Sequence, residues 1–159
     1  MKIWLDTEFM EDGERIVPLS IGAVREDGAE FYVEFEADYS LANDWVRANV
    51  LPHLDGTQHP RGFIAGSLID FADPGGDRFG ERPEFWGYYC DYDWVLLCQL
   101  YGRMVDLPRG WPKFCMDLKQ ELVRAGNPRL PEQAGTEHHA LADARWIRDC
   151  WRWLHDQQS

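Results

Sequence analysis

The sequence predicts an α/β domain with a mixed β-sheet flanked by helices. Three observations lead there. The amino-terminal residues hold three strand patterns separated by turn signals. A short apolar strand pattern returns near residue 85, after a stretch with helical spacing. The remainder repeats apolar residues at helical period and closes on a long amphipathic run. A chain of 159 residues, 45% of them hydrophobic, suits one packed domain spanning 1–159.

Residues 2–6 alternate around Ile3 and Leu5 and fit a strand. The segment around Gly13 is a turn signal. Residues 16–24 are rich in β-branched side chains and fit a second strand. Asp27-Gly28 is a hairpin signal, and 30–37 alternate with period two as a third strand. Ser40 is a candidate N-cap for a helix over about 41–50, with Trp45 and Val46 on its apolar side and Pro52 as its stop. A shorter helix fits 61–73, weakened by Gly62 and Gly66. Residues 73–83 are a loop rich in Gly and Pro, and 84–90 fit a buried strand. Helical spacing continues over 93–104, over 116–126 with Gly126 as terminator, and over 140–157. There is no repeat, low-complexity tract or interdomain linker.

Composition narrows the function. No apolar run approaches the ~18 residues that span a bilayer, and the amino terminus lacks a signal-peptide stretch, so a cytoplasmic protein is expected. Cys90, Cys98, Cys115 and Cys150 are widely spaced without a CxxC pair, which fits reduced thiols better than a zinc site. The net charge of −12 argues against electrostatic tracking along a duplex. It is uneven, however. The first 60 residues carry 13 acids against 4 bases, whereas a later stretch with Arg103, Arg109, Lys113, Lys119 and Arg124 is locally basic. Bound cations would offset part of the acidity.

Three acidic clusters stand out. Asp6 and Glu8 are two residues apart on a strand and therefore share a face. Alone they are a common acidic pair. Asp91 and Asp93 lie between an apolar strand and a helical run; Asp93 is the better ligand candidate, and Asp91 is its alternative or a helix cap. In the third cluster, His138 lies five residues before Asp143 and His139 four. Five helical positions differ by about 140° around the axis, so His138 belongs in the loop or first turn and Asp143 inside the helix. Carboxylates from separate elements converge only around a cation. Mg²⁺ and Mn²⁺ prefer such oxygen ligands. Two of these ions, about 3.5–4 Å apart, can clamp both oxygens of an in-line phosphoryl displacement. A neighbouring histidine can take the proton from the attacking water.

Asp6-Thr7-Glu8, then Tyr92-Asp93-Trp94 with Leu97, then His138-x-Ala140-Leu141-x-Asp143 resemble, in that order, the motifs of the DEDD exonucleases of the histidine branch. Within that family the sequence is most similar to the polyadenylate-specific 3′-exoribonucleases of actinobacteria, RNase AS. The resemblance implies an RNase-H-like (DnaQ-like) fold, two Mg²⁺ or Mn²⁺ ions, and removal of nucleoside 5′-monophosphates from the 3′ end of single-stranded RNA. It also implies a homodimer and a preference for adenylate tails. It assigns Asp6, Glu8, Asp93 and Asp143 to the metal and His138 to general-base catalysis. Tyr89 stands where many relatives carry Asn.

Among 22 aromatic residues, Phe9 follows the first motif and is a candidate for stacking on the terminal base. Ser20, or backbone near Glu8 and Phe9, is a candidate reader of the 2′-hydroxyl. Arg103, Arg109 and Lys113 are candidate phosphate contacts, with solvated surface as the competing role. The alternative functions are a DNA exonuclease of proofreading or repair type, and a non-catalytic binding module on the same fold.

Overall fold

The computed structural model describes residues 1–74 and 82–156. Strands β1 (Lys2–Glu11), β2 (Ile16–Arg25) and β3 (Glu30–Phe35) form the expected antiparallel meander. Gly28 takes a φ of 91°, the left-handed conformation that its turn requires. Helix α1 (Asp44–Asn49) follows, then β4 (Gln58–His59), α2 (Arg61–Ala72), β5 (Glu84–Gly87) and α3 (Asp91–Tyr101). The chain ends in β6 (Met116–Asp117), α4 (Leu118–Arg124) and α5 (Ala140–Asp156). The sheet order is β4-β3-β2-β1-β5-β6, with β4, β5 and β6 joined in parallel to their neighbours β3, β1 and β5.

Several boundaries differ from expectation, each for a local reason. β1 runs on through Asp6 and Glu8, because β2 pairs with it as far as Glu11. Ser40 does not cap α1. It lies in a 3₁₀ turn, and Asn43 accepts the Val46 amide at 2.9 Å instead. Trp45 is 53% exposed, and only Val46 of that pair is buried. β4 and β6 hold two residues each, too short for any periodicity to reveal. Asp117 ends β6 and accepts the Lys119 amide as the N-cap of α4, so that helix starts two residues later than the pattern suggests. Most of the expected 73–83 loop, residues 75–81, lies outside the described residues, as does position 157. Among the described residues no helix is long and apolar enough to cross a membrane.

Alternation along β1 sorts the layers. Ile3 and Leu5 join Ile21, Ala23 and Phe85 against α2 and α3. Trp4 and Trp86 pack on the other face against α4 and α5, where Ile147, Cys150 and Leu154 form the apolar stripe of α5. Met10 and Leu19 continue that face onto Val46 and Val50. The pairing of β1 with β2 slips between Glu8 and Phe9: Glu8 faces Ser20, Phe9 faces Pro18, and Leu19 is left over. Pro18 has no amide to lose at such a bulge. On its other edge β1 pairs with β5 only over Lys2–Trp4. Beyond Trp4 that edge stays open, at the carboxyl end of the parallel pair, where α/β sheets form their crevices.

Candidate active site

Asp6 and Glu8 project from β1 toward α5. Opposite Asp6 on β2 stands Gly22. A Cβ there would lie 2.2 Å from the Leu141 nitrogen and 2.3 Å from the Ala140 carbonyl carbon. Only a glycine lets the start of α5 touch the sheet, and that contact carries Asp143, in the first turn, to Glu8. A second close approach sets α3. A Cβ on Gly87 would meet the Cys90 Cβ at 2.4 Å, so glycine permits the tight reversal between β5 and α3. Asp93 is then buried against the open edge of β1. Its Oδ1 accepts the Thr7 amide at 2.8 Å and the Thr7 hydroxyl at 2.5 Å. Asp91 is exposed at the helix start, so Asp93 is the member of that pair beside the other carboxylates.

The two histidines separate by role. His138 precedes α5 and lies at a φ of 63°. Its amide donates to Asp143 Oδ2 at 3.0 Å. Ligand atoms of Glu8, His138 and Asp143 lie within 4.8 Å of one another. His139 caps the helix instead. Its Nδ1 accepts the Ala142 amide at 3.4 Å, its carbonyl accepts the Asp143 amide at 3.0 Å, and its ring stacks on Tyr32 at 4.6 Å.

Electrostatics marks the cluster as incomplete. Burial, then the charges of Asp93, Glu8 and Asp143, push the Asp6 carboxyl well above its usual range. Burial, then the charge and a shared hydrogen bond of Asp143, raise Glu8 to about 8. Burial raises Asp93 to about 6, against the opposing pull of its Thr7 hydrogen bonds. Like charges this close cannot all ionise unaided. The donor set, carboxylate oxygens with one imidazole and no thiolate, fits a hard divalent cation.

The other expected contacts fall in two groups. Phe9 is half-buried on the Thr7 side of β1 and meets Tyr92 edge-on at 5.5 Å, next to the Asp93 dock. Ser20 is fully buried opposite Glu8, behind the carboxylates rather than on a surface that a polynucleotide can reach. Arg103 follows the end of α3, about 15 Å along that helix from Asp93, and its guanidinium is engaged by Asp106. Arg109 and Lys113 are exposed on a segment that Trp111 and Cys115 fasten to Phe85, in the α2–α3 layer across the sheet from Asp6 and Glu8. The structure therefore does not bring these three cations to the carboxylates. It brings others that no motif announced. Gln133 donates to Asp143 Oδ1 at 2.5 Å. Trp45 meets the His138 ring edge-on at 4.8 Å. An open cavity of about 160 Å³ beside Asp6 and Asp143 is also lined by Tyr88, Gln133, Trp146 and Ile147.

Residues 1–154 match the family described as the 3′-5′ exoribonuclease Rv2179c-like domain. This chain belongs to that family. The Rv2179c-like membership is supported by two relatives from Mycobacterium tuberculosis, the 3′-5′ exoribonuclease Rv2179c of strain H37Rv and MT2234.1 of strain CDC 1551. Each is 41% identical over 150 residues, covering 91% of this chain and 88% of the relative. Among solved structures, one described as 3′-end specific recognition of histone mRNA stem-loop by 3′-exonuclease superposes with a TM-score of 0.59 at 14% identity, over 98% of this chain and 63% of that one. A chain of the structure described as the yeast NOT1 MIF4G domain co-crystallised with CAF1 gives 0.53 at 13% identity, over 98% of this chain and 80% of that one. At such identities these likenesses speak to the fold, which is the RNase-H-like α/β type that the sequence led one to expect.

Proposed function

We propose that this member of the family hydrolyses single-stranded RNA from its 3′ end and releases nucleoside 5′-monophosphates, with two Mg²⁺ or Mn²⁺ ions held by Asp6, Glu8, Asp93 and Asp143. The observation that carries the proposal is the convergence of buried and half-buried carboxylates from β1, α3 and α5, with His138 beside two of them. Divalent ions bound there supply charge neutralisation at the scissile phosphate and a more acidic water. The protein's part is to orient and to move a proton. Thr7 fixes Asp93, and the first turn of α5 fixes Asp143. His138 accepts the proton of the attacking water as the new P–O bond forms. The P–O3′ bond breaks, the departing O3′ takes a proton from solvent water, and a shortened RNA with a free 3′-hydroxyl remains. Phe9 and Tyr92 offer an aromatic pair beside the carboxylates for the terminal base. A preference for adenylate tails and a homodimeric state complete the proposal, on the strength of the sequence motifs.

The test is digestion of matched 5′-labelled RNA and DNA oligomers with and without Mg²⁺. The expected result is a Mg²⁺-dependent ladder from the RNA 3′ end, 5′-monophosphates as products, and faster loss of adenylate tails than of mixed sequence. Faster digestion of DNA would favour a repair-type exonuclease. No cleavage, together with no ion binding, would favour a binding module.

A further inference from the structure

Gln133 lies in the connection between α4 and α5, where Glu132, Ala134, Gly135 and Thr136 are exposed. Its own side chain turns inward. Nε2 donates to Asp143 Oδ1 at 2.5 Å and reaches the Thr136 carbonyl at 3.5 Å. The second oxygen of Asp143 accepts the His138 amide at 3.0 Å. One carboxylate on α5 thus holds the 133–138 loop at two points. The loop is pinned at both ends as well. Trp146 Nε1 donates to the Pro131 carbonyl at 3.0 Å, and His139 caps α5 while stacked on Tyr32. Between these anchors His138 holds its left-handed backbone. That conformation is unfavourable for a non-glycine residue and persists where the surroundings over-determine it.

From these contacts we infer that Gln133 is a positioning residue: its amide orients Asp143 and closes the loop that sets where the His138 ring stands. The inference rests on Asp143 as an ion ligand and His138 as the base. In this role Gln133 acts through Asp143 and the loop rather than on the reacting atoms. Each Asp143 oxygen spends one lone pair on the loop, and the side of the carboxylate toward Glu8 is where a cation would bind. Partners that orient a ligating carboxylate typically account for about 10- to 100-fold in affinity or activity.

The experiment compares wild type with Gln133→Ala and the similarly sized, uncharged Gln133→Met, both lacking the amide donor. Hydrogen exchange at the His138 amide, the melting temperature, and kcat and KM on an RNA oligomer are measured. In both variants exchange at His138 should rise, and kcat should fall by about 10- to 100-fold, while KM and melting temperature stay at wild-type values. Wild-type exchange at His138 or a wild-type kcat in both variants would overturn the inference. So would a loss confined to KM, which marks a substrate contact, or one that follows the melting temperature, which marks a purely structural role. Should the wild type release no nucleotide, the proposed function fails, and exchange at His138 still decides whether Gln133 holds the loop.

Discussion

Acidic side chains turn inward on β3 and on β1, the two strands that flank β2, and they are built in opposite ways. Glu34 on β3 is 1% exposed and surrounded by donors. It accepts the Tyr32 hydroxyl at 2.8 Å, the Asp55 amide at 2.5 Å and the Gly56 amide at 3.0 Å. Its oxygens are satisfied by protein donors, and it ties the 54–57 turn to the sheet. Asp6 on β1 is instead pushed upward by burial and by the charges of three other carboxylates. The difference teaches what burial alone does not. A buried acid with donors is a piece of structure, whereas a group of buried acids facing one another is a place for a cation.

Substitution should split the two groups, and the largest effect belongs to activity. Asp6→Asn is expected to lower RNA hydrolysis on the order of 10³-fold or more, as loss of a central catalytic group does. Glu34→Gln should leave the rate per folded molecule near wild type. Stability should show the reverse order. Glu34→Ala strands a hydroxyl and two amides, and a loss of about 3 kcal/mol is expected in chemical denaturation. Asp6→Asn removes a source of repulsion and should raise the melting temperature in EDTA. A destabilised Asp6→Asn protein, or an inactive Glu34→Gln protein, would erase the contrast.

The pH dependence is a smaller effect with a definite sign. Glu8 and Asp93 titrate in the folded state near 8 and near 6, above ordinary carboxylates. Groups with raised folded values bind more protons folded than unfolded, so they contribute stability at low pH that is lost as pH rises. In EDTA the melting temperature should therefore fall from about pH 4.5 to about pH 8. Mn²⁺, which binds the ionised form, should flatten that fall. A melting temperature that rises over the same window in EDTA would contradict the proximity of these carboxylates.

Much of this was legible in the sequence. Period-two alternation and the Asp27-Gly28 turn specify the meander, and the ordered acidic motifs point to Asp6, Glu8, Asp93, His138 and Asp143. The spacing from His138 to Asp143 also places one before α5 and the other within it. What stayed hidden depends on long-range geometry. Gln133 sits in a loop with no pattern of its own and gains its place only when α5 packs on Gly22. Asp91 and Asp93 are indistinguishable by spacing until Thr7 on the open edge of β1 selects one. Arg103, Arg109 and Lys113 form a basic stretch in one dimension, but the fold pairs the first with Asp106 and carries the others across the sheet. β4 and β6 exist because longer strands offer them an edge.

The most direct test of the central claim is a calorimetric titration of Mn²⁺ into wild type, Asp6→Asn and Glu34→Gln proteins near neutral pH. Saturable binding to wild type and Glu34→Gln, and its loss in Asp6→Asn, is the predicted result. No binding to wild type, or binding to Asp6→Asn that equals it, would contradict the assignment of the β1 carboxylates to a cation site.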